Sequence, residues 1–111
     1  MEIAPEALVN LGLAALGQSE YERAAASLDE AQALSQNLGV KPSVINALEG
    51  MASLAAVLGK DYHAAHLWGA AEASREVTGI ALIPGERALH EPYLASARSE
   101  LGEEAWEEAL A

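Results

Sequence analysis

Apolar and polar residues alternate along this chain with a helical period, and glycines mark where each run stops. From Pro5, Leu8, Leu11 and Ala15 recur at helical spacing until Gly17. Ser19-Glu20-Tyr21-Glu22 has the form of a capping box, with a Ser oxygen for an orphan N–H and Glu22 reaching back. A stripe of Ala24, Leu28, Ala31, Leu34 and Leu38 follows, and Gly39 stands where a left-handed C-cap ends a helix. Pro42 and Ser43 open a third segment, with Ile45, Leu48, Met51, Ala52 and Ala55 inward and Gly59 at its end. Asp61 is placed to cap a fourth, which carries Ala64, Ala65, Trp68 and Ala71 and closes at Gly79.

Sliding the chain by 40 residues superposes Ala7 on Ala47, Leu8 on Leu48, Ala15 on Ala55, Ala24 on Ala64 and Ala25 on Ala65. Ala31 on Ala71, Ala33 on Ala73 and Gly39 on Gly79 bring the identities to 8, against roughly 3 or 4 expected by chance at this Ala content. The pattern predicts one helical-repeat domain over 1–111: repeat one at 5–39, repeat two at 42–79, and a divergent helix pair at 80–111. Within the last part, Ile80-Ala81-Leu82-Ile83-Pro84 reads as an extended connection laid over a groove. A helix from Glu86 to Leu101 should bury Leu89, Tyr93, Leu94, Ala97 and Leu101, with Pro92 kinking it or marking its true first turn. After Gly102, Glu103 to Leu110 forms a short last helix. The expected fold is all-α, with antiparallel helix pairs stacked as a short right-handed solenoid of about six helices. Each pair is too thin to bury both faces, so neighbours must cover one another. Small residues at Ala15, Ala24, Ala55 and Ala64 would let backbones approach closely, and a bulky side chain there would overpack the crossing.

Composition supports this reading: Ala (25) and Leu (16) dominate 111 residues, Phe is absent, and helix formers outweigh β-branched residues. Lys and Arg number 6 against 17 Asp and Glu, a formal charge of −11 that repels phosphate backbones and anionic lipid. Direct nucleic-acid and membrane binding are therefore not expected, and no apolar run reaches the ~20 residues that span a bilayer. Without cysteine there is no disulfide, thiolate nucleophile or cysteine zinc site, and the expected location is the cytoplasm.

The first unit, read as Leu8, Leu11-Gly12, Ala15, Ser19, Tyr21, Ala24, Leu28 and Ala31, resembles a tetratricopeptide repeat, with Ser19 at the usual turn glycine. The second keeps Gly59 but has Met51-Ala52 for Leu-Gly and Asp61 at the usual tyrosine position. The run from Ala64 to Glu76, followed by Ala81-Leu82-Ile83-Pro84, Glu86-Arg87 and Leu101 to Trp106, is similar to the ends of helical arrays in LuxR-type, MalT-like transcriptional regulators. That resemblance implies a piece of a larger bacterial signalling ATPase, with nucleotide-binding and DNA-binding parts elsewhere. It implies a non-enzymatic interaction and signal-transmission module, whose partner is a protein, a peptide or another domain of the parent. By the same likeness the first helix of each pair lines a concave face, placing Glu6, Val9, Leu13, Asn46, Glu49 and Ser53 on the partner-binding surface. The alternative is a small-molecule effector sensor, with its pocket beneath Ile80–Pro84 or in the groove.

Other chemistry is sparse. No phosphate loop, His-Glu-x-x-His or Gly-x-Ser-x-Gly is present, so neither catalytic residues nor a cofactor are expected. His63 and His66 lie three apart on one helix, but zinc usually needs three or four protein ligands, and ordinary helix positions explain both. Glu100, Glu103, Glu104, Glu107 and Glu108 read as a solvated face, or as a field steering a basic partner. Trp68 and Trp106 are expected as packing anchors. The apolar edge at Ile3, Leu8 and Leu11 suggests a boundary that a preceding repeat would cover, and makes a homodimer plausible.

Overall fold

A computed structural model describes residues 3–81 and 84–110, and every element among them is an α-helix. The helices are α1 (Pro5–Gly17), α2 (Tyr21–Leu38), α3 (Lys41–Val57), α4 (Asp61–Thr78), α5 (Pro84–Leu101) and α6 (Glu103–Leu110). α2 and α4 are both 18 residues long and start 40 residues apart, and α1 and α3 end 40 apart, so the period seen in the apolar stripes is also the period of the backbone. α1 packs on α2 and α3 on α4 as two hairpins, which meet through α3 against both α1 and α2.

The two tight turns inside the hairpins are superposable in their hydrogen bonds. Ser19 N–H donates to Leu16 O at 3.0 Å and Glu20 N–H to Ala15 O at 2.8 Å. Gly59 N–H to Ala56 O at 3.1 Å and Lys60 N–H to Ala55 O at 2.9 Å repeat that arrangement. It requires a left-handed residue, and Gly59 supplies one at φ 78° while Ser19 is forced to φ 62°. Ser19 is thus the turn residue of the first hairpin and does not cap α2. The cap position is Glu20, and that of α4 is Lys60, neither with a side-chain cap bond; Asp61 lies inside its helix. The expected capping box and Asp61 cap are replaced by turns closed through backbone groups alone.

Of the matched positions, Leu8/Leu48, Ala15/Ala55, Ala24/Ala64 and Ala31/Ala71 are buried in both copies, whereas Ala33 and Ala73 are exposed. Leu28, fully buried, fits between two glycines: a Cβ on Gly12 of α1 would lie 2.7 Å from its Cγ, and one on Gly50 of α3 would lie 2.8 Å from its Cδ2. Three helices therefore meet around one leucine because two of them present bare backbone. Leu11 and Leu38, expected inward, are 53% and 59% exposed, because the inner arc of α1 rotates onto Leu8, Val9, Gly12 and Leu16, and α2 buries Ser35 instead. At the apolar edge, Leu8 is buried while Ile3 is exposed with Leu11.

The third pair departs from the repeat. α5 packs against both α3 and α4, whereas α6 lies mainly along α4. Gly69 allows that approach, since a Cβ there would stand 2.9 Å from the Leu110 Cα. α5 begins at Pro84 and continues through Pro92, so Pro92 is not its first turn. Leu94 and Ala97 are buried, Tyr93 and Leu101 are half-buried, but Leu89 is 50% exposed and His90 takes the inward position beside it. The expected extended connection falls partly on residues 82–83, outside the described residues; Ile80 packs against Ile45, Leu48 and Ala71. Trp68 and Trp106 are both buried in the second-half core, as expected of packing anchors. Among the described residues no helix is long and apolar enough to cross a membrane.

Replacing Ser19 by Gly removes the left-handed strain while adding chain entropy to the unfolded state. We expect a net stabilisation of about 0.5–1 kcal/mol, read as a raised urea midpoint with an unchanged m-value.

Candidate functional site

The inner face of the two hairpins is not open along its whole length, because α5 lies across α3. Between α5 and α1 a cleft of about 150 Å³ remains. Glu6, Val9, Asn10 and Leu13 of α1 form one wall, Glu86, Leu89 and His90 of α5 the other, and Asn46 and Glu49 of α3 the floor. Five of the six residues assigned to the concave face from the resemblance therefore do come together. Ser53, the sixth, lies deeper under α5 and is fully buried. Val9 and Glu49 are also almost fully buried, so the accessible part of the lining is Glu6, Leu13 and Asn46 with the α5 wall.

Beneath the cleft runs a buried polar chain that the first repeat lacks. At the 40-residue offset, Val9, Leu13 and Ser35 of repeat one are answered by Glu49, Ser53 and Arg75 of repeat two. Ser35 is satisfied locally, its hydroxyl donating to the Ala31 carbonyl at 2.7 Å. Arg75 instead reaches from α4 to α3, and its guanidinium forms a buried ion pair and hydrogen bond with the Glu49 carboxylate. The same guanidinium stands over Trp68, 5.5 Å from the ring centroid, a cation–π placement in a dehydrated setting. Trp68 Nε1–H donates to Glu72 at 2.9 Å, and its ring meets His90 at 5.7 Å between centroids, tilted by 59°. His90 Nδ1 then shares a hydrogen bond with Ser53 Oγ at 2.7 Å. α3, α4 and α5 are thus joined by one chain: Glu49, Arg75, Trp68, His90, Ser53.

Electrostatics follow from burial. His90 is 3% exposed, and its pKa falls to about 4, chiefly by desolvation and secondarily by the nearby Arg75 charge. The ring is neutral at pH 7, so its Nδ1 and the Ser53 hydroxyl divide one donor and one acceptor role between them. Burial also draws the Arg75 guanidinium below its usual value; Glu86 opposes that effect and Arg87 adds to it. Ser53 and His90 have the separation of a nucleophile and its base, but Ser53 has no accessible surface on which a substrate carbonyl is to be met.

Elsewhere, His63 and His66 are exposed on α4, and among the described residues no three His, Asp or Glu side chains gather as a metal-ligand set. Glu100, Glu103, Glu104, Glu107 and Glu108 are all exposed, forming the expected solvated face. A larger groove of about 370 Å³ lies between the start of α3 and the end of α4, lined by Lys41, Val44, Ile45, Ser74 and Val77 among others. His90 and Arg75 were not singled out by sequence reasoning. The signal for Arg75 is the break in the repeat at Ser35/Arg75, alongside Val9/Glu49 and Leu13/Ser53. For His90 it is the competition with adjacent Leu89, which only the packing direction of α5 resolves. Comparison with protein-family models, with curated proteins and with solved structures finds no match to this chain.

Two predictions follow from the buried chain. Glu49→Ala strands a buried guanidinium and should cost about 3–5 kcal/mol in urea unfolding, while Glu49→Leu with Arg75→Met recovers most of that loss. Because the His90 pKa is depressed by folding, the unfolded chain takes up its proton first as pH falls. His90 stabilisation is therefore complete above pH ~6.5 and is lost as pH drops to about 4, by about 3 kcal/mol. The difference in urea midpoints between the native chain and His90→Gln across that window measures it.

Proposed function

We propose that this chain is a non-enzymatic helical-repeat module that binds a protein segment, or another domain of a larger polypeptide, on its inner face and transmits that binding through the packing of α5. The observation that carries the reading is the cleft itself. Two hairpins repeated at 40 residues present α1 and α3 side by side, and α5 leaves the space beside α1 uncovered. Exposed Leu89 and half-buried Leu13 face that space from opposite walls, with Asn46 between them. Such a mixture of apolar and amide groups suits a peptide or helix side chain laid into a groove. Burial of both Ser53 and His90 speaks for a structural role of that pair and against acyl-transfer chemistry. The charge of −11 speaks against a nucleic-acid partner. The likeness of residues 64–76 and 101–106 to LuxR-type, MalT-like regulators suggests a bacterial cytoplasmic regulator as the parent.

Photo-crosslinking tests this. A benzophenone side chain at Leu13 or Leu89 is expected to capture one defined protein segment in the source organism, with the equivalent probe at outward-facing Ala26 giving none. Leu89→Asp should then weaken that partner about tenfold without lowering the melting temperature. Equal capture from both faces, or binding untouched by Leu89→Asp, removes the inner face from the interaction.

A second reading rests on the apolar groove between α3 and α4. Its volume of about 370 Å³ lies in the range of small-molecule sites, and an effector there would act on the same hairpin that holds Arg75. Ligand-dependent stabilisation abolished by Val77→Asp distinguishes this reading from the first.

A further inference from the structure

We infer that α6 is an exchangeable helix, and that the face of α4 it covers is an interface for a second copy of this chain, whose own α6 takes the same seat. The link that permits this is a single residue. α5 ends at Leu101 and α6 begins at Glu103, with Gly102 between them at φ 85°. Helical bonding runs up to that glycine and away from it: Gly102 N–H donates to the Arg98 carbonyl at 2.9 Å, and Trp106 N–H to the Gly102 carbonyl at 3.0 Å. Only the intervening N–H groups, of Glu103, Glu104 and Ala105, lack the helical bond to the residue four before. A turn of Gly102 into the right-handed region would give them Ser99, Glu100 and Leu101 as acceptors, and α5 and α6 would become one helix over 84–110.

Straightening carries α6 off α4 and uncovers two matched surfaces. One holds Trp106 and Ala109, both buried in the seated helix, with Leu110; the other holds Ala65 and the bare backbone of Gly69, against which Leu110 lies. Eight residues are too few for a helix to persist alone in water, but α6 joined end-on to α5 stays helical and presents its apolar face. The shape of the seat names the occupant. A Cβ at residue 69 would collide with the Leu110 backbone, so the seat takes a helix that brings its own backbone to that point. α6 of a second copy does so with every side chain already matched, and exchange between identical chains alters only the hinge. A separate observation lowers the cost of release. Trp106 is fully buried, yet its Nε1–H has no hydrogen-bond partner among the described residues, so water satisfies that donor as soon as α6 lifts away. The ion pair across the hinge is loose as well, with Arg98 Nε 3.8 Å from Glu103 and making no hydrogen bond.

Sedimentation velocity of the full chain across concentrations measures the exchange. The native chain is expected to be monomeric at micromolar and partly dimeric at millimolar concentration. Gly102→Ala should raise the association constant about a hundredfold, because in both copies alanine disfavours the left-handed hinge and favours a helical one. Gly102→Asn, which tolerates positive φ, should stay close to the native chain. Dimers assembled from equal parts isotope-labelled and unlabelled chain, native or Gly102→Ala, should show isotope-filtered NOEs from Leu110 of one copy to Gly69 of the other. Adding Gly69→Val to Gly102→Ala closes the seat and should return the chain to monomer, with helix content by circular dichroism largely kept. A native chain or Gly102→Ala variant that stays monomeric, dimers without those intermolecular contacts, equal dimerisation of Gly102→Asn and Gly102→Ala, or a dimer that survives Gly69→Val would each overturn the inference.

Discussion

Enclosure of α3 is the constraint on which the rest of this structure depends. α1, α2, α4 and α5 all pack on it, and 11 of its 17 residues are buried. A helix surrounded in this way has little solvent face onto which polar side chains can turn, so those on its buried sides must be small or paired inside. The α3 sequence obeys both conditions. Ala47, Ala52, Ala55 and Ala56 occupy the crossings, Gly50 admits Leu28, and Glu49 and Ser53 each have a partner from another helix.

Those partners explain why the second repeat is not a copy of the first. Repeat one faces its inner side with Val9 and Leu13 and needs no cross-helix polar contact. Repeat two places a carboxylate at the equivalent point, and a buried carboxylate is tolerable only with a cation brought to it. Arg75 supplies that cation, Trp68 shields it, and His90 of α5 completes the chain down to Ser53. Polar contacts of this kind specify geometry more than they add stability, since an apolar replacement of similar volume is often equally stable. In this fold they fix where α5 lies across α3, and the position of α5 decides the shape of the cleft beside α1.

α6 completes the arrangement from the other side. A repeating array would place it against α5; here it lies along α4 over Gly69, and Trp106 and Ala109 are buried among the alanines of α3 and α4. Arg98 of α5 stands over the Trp106 ring at 5.2 Å and reaches toward Glu91 and Glu103 at 3.5 and 3.8 Å, so the acidic last helix is tied to α5 from its solvent side. The α1–α5 cleft and the contact with α6 thus lie on one and the same helix, α5.

Local spacing and repetition of a pattern fix the helices, their 40-residue period and the glycine at Gly59 that the turn demands, whereas the gathering of Glu6, Val9, Leu13, Asn46 and Glu49 follows only from the resemblance to tetratricopeptide repeats. The same spacing puts Leu11, Leu38 and Leu89 inward and gives no sign of His90, because an apolar stripe fixes a helix face only to within about one residue, some 100° of rotation. Ser19 is ambiguous for a related reason: a hydroxyl ahead of Glu22 fits both a cap and a turn, and only the backbone torsion separates them. Tertiary structure alone decided that α5 crosses α3, that Arg75 turns inward to Glu49, and that α6 settles on α4. Each of those outcomes depends on where a distant helix comes to rest, and the burial of a charge is settled by the partner it meets there.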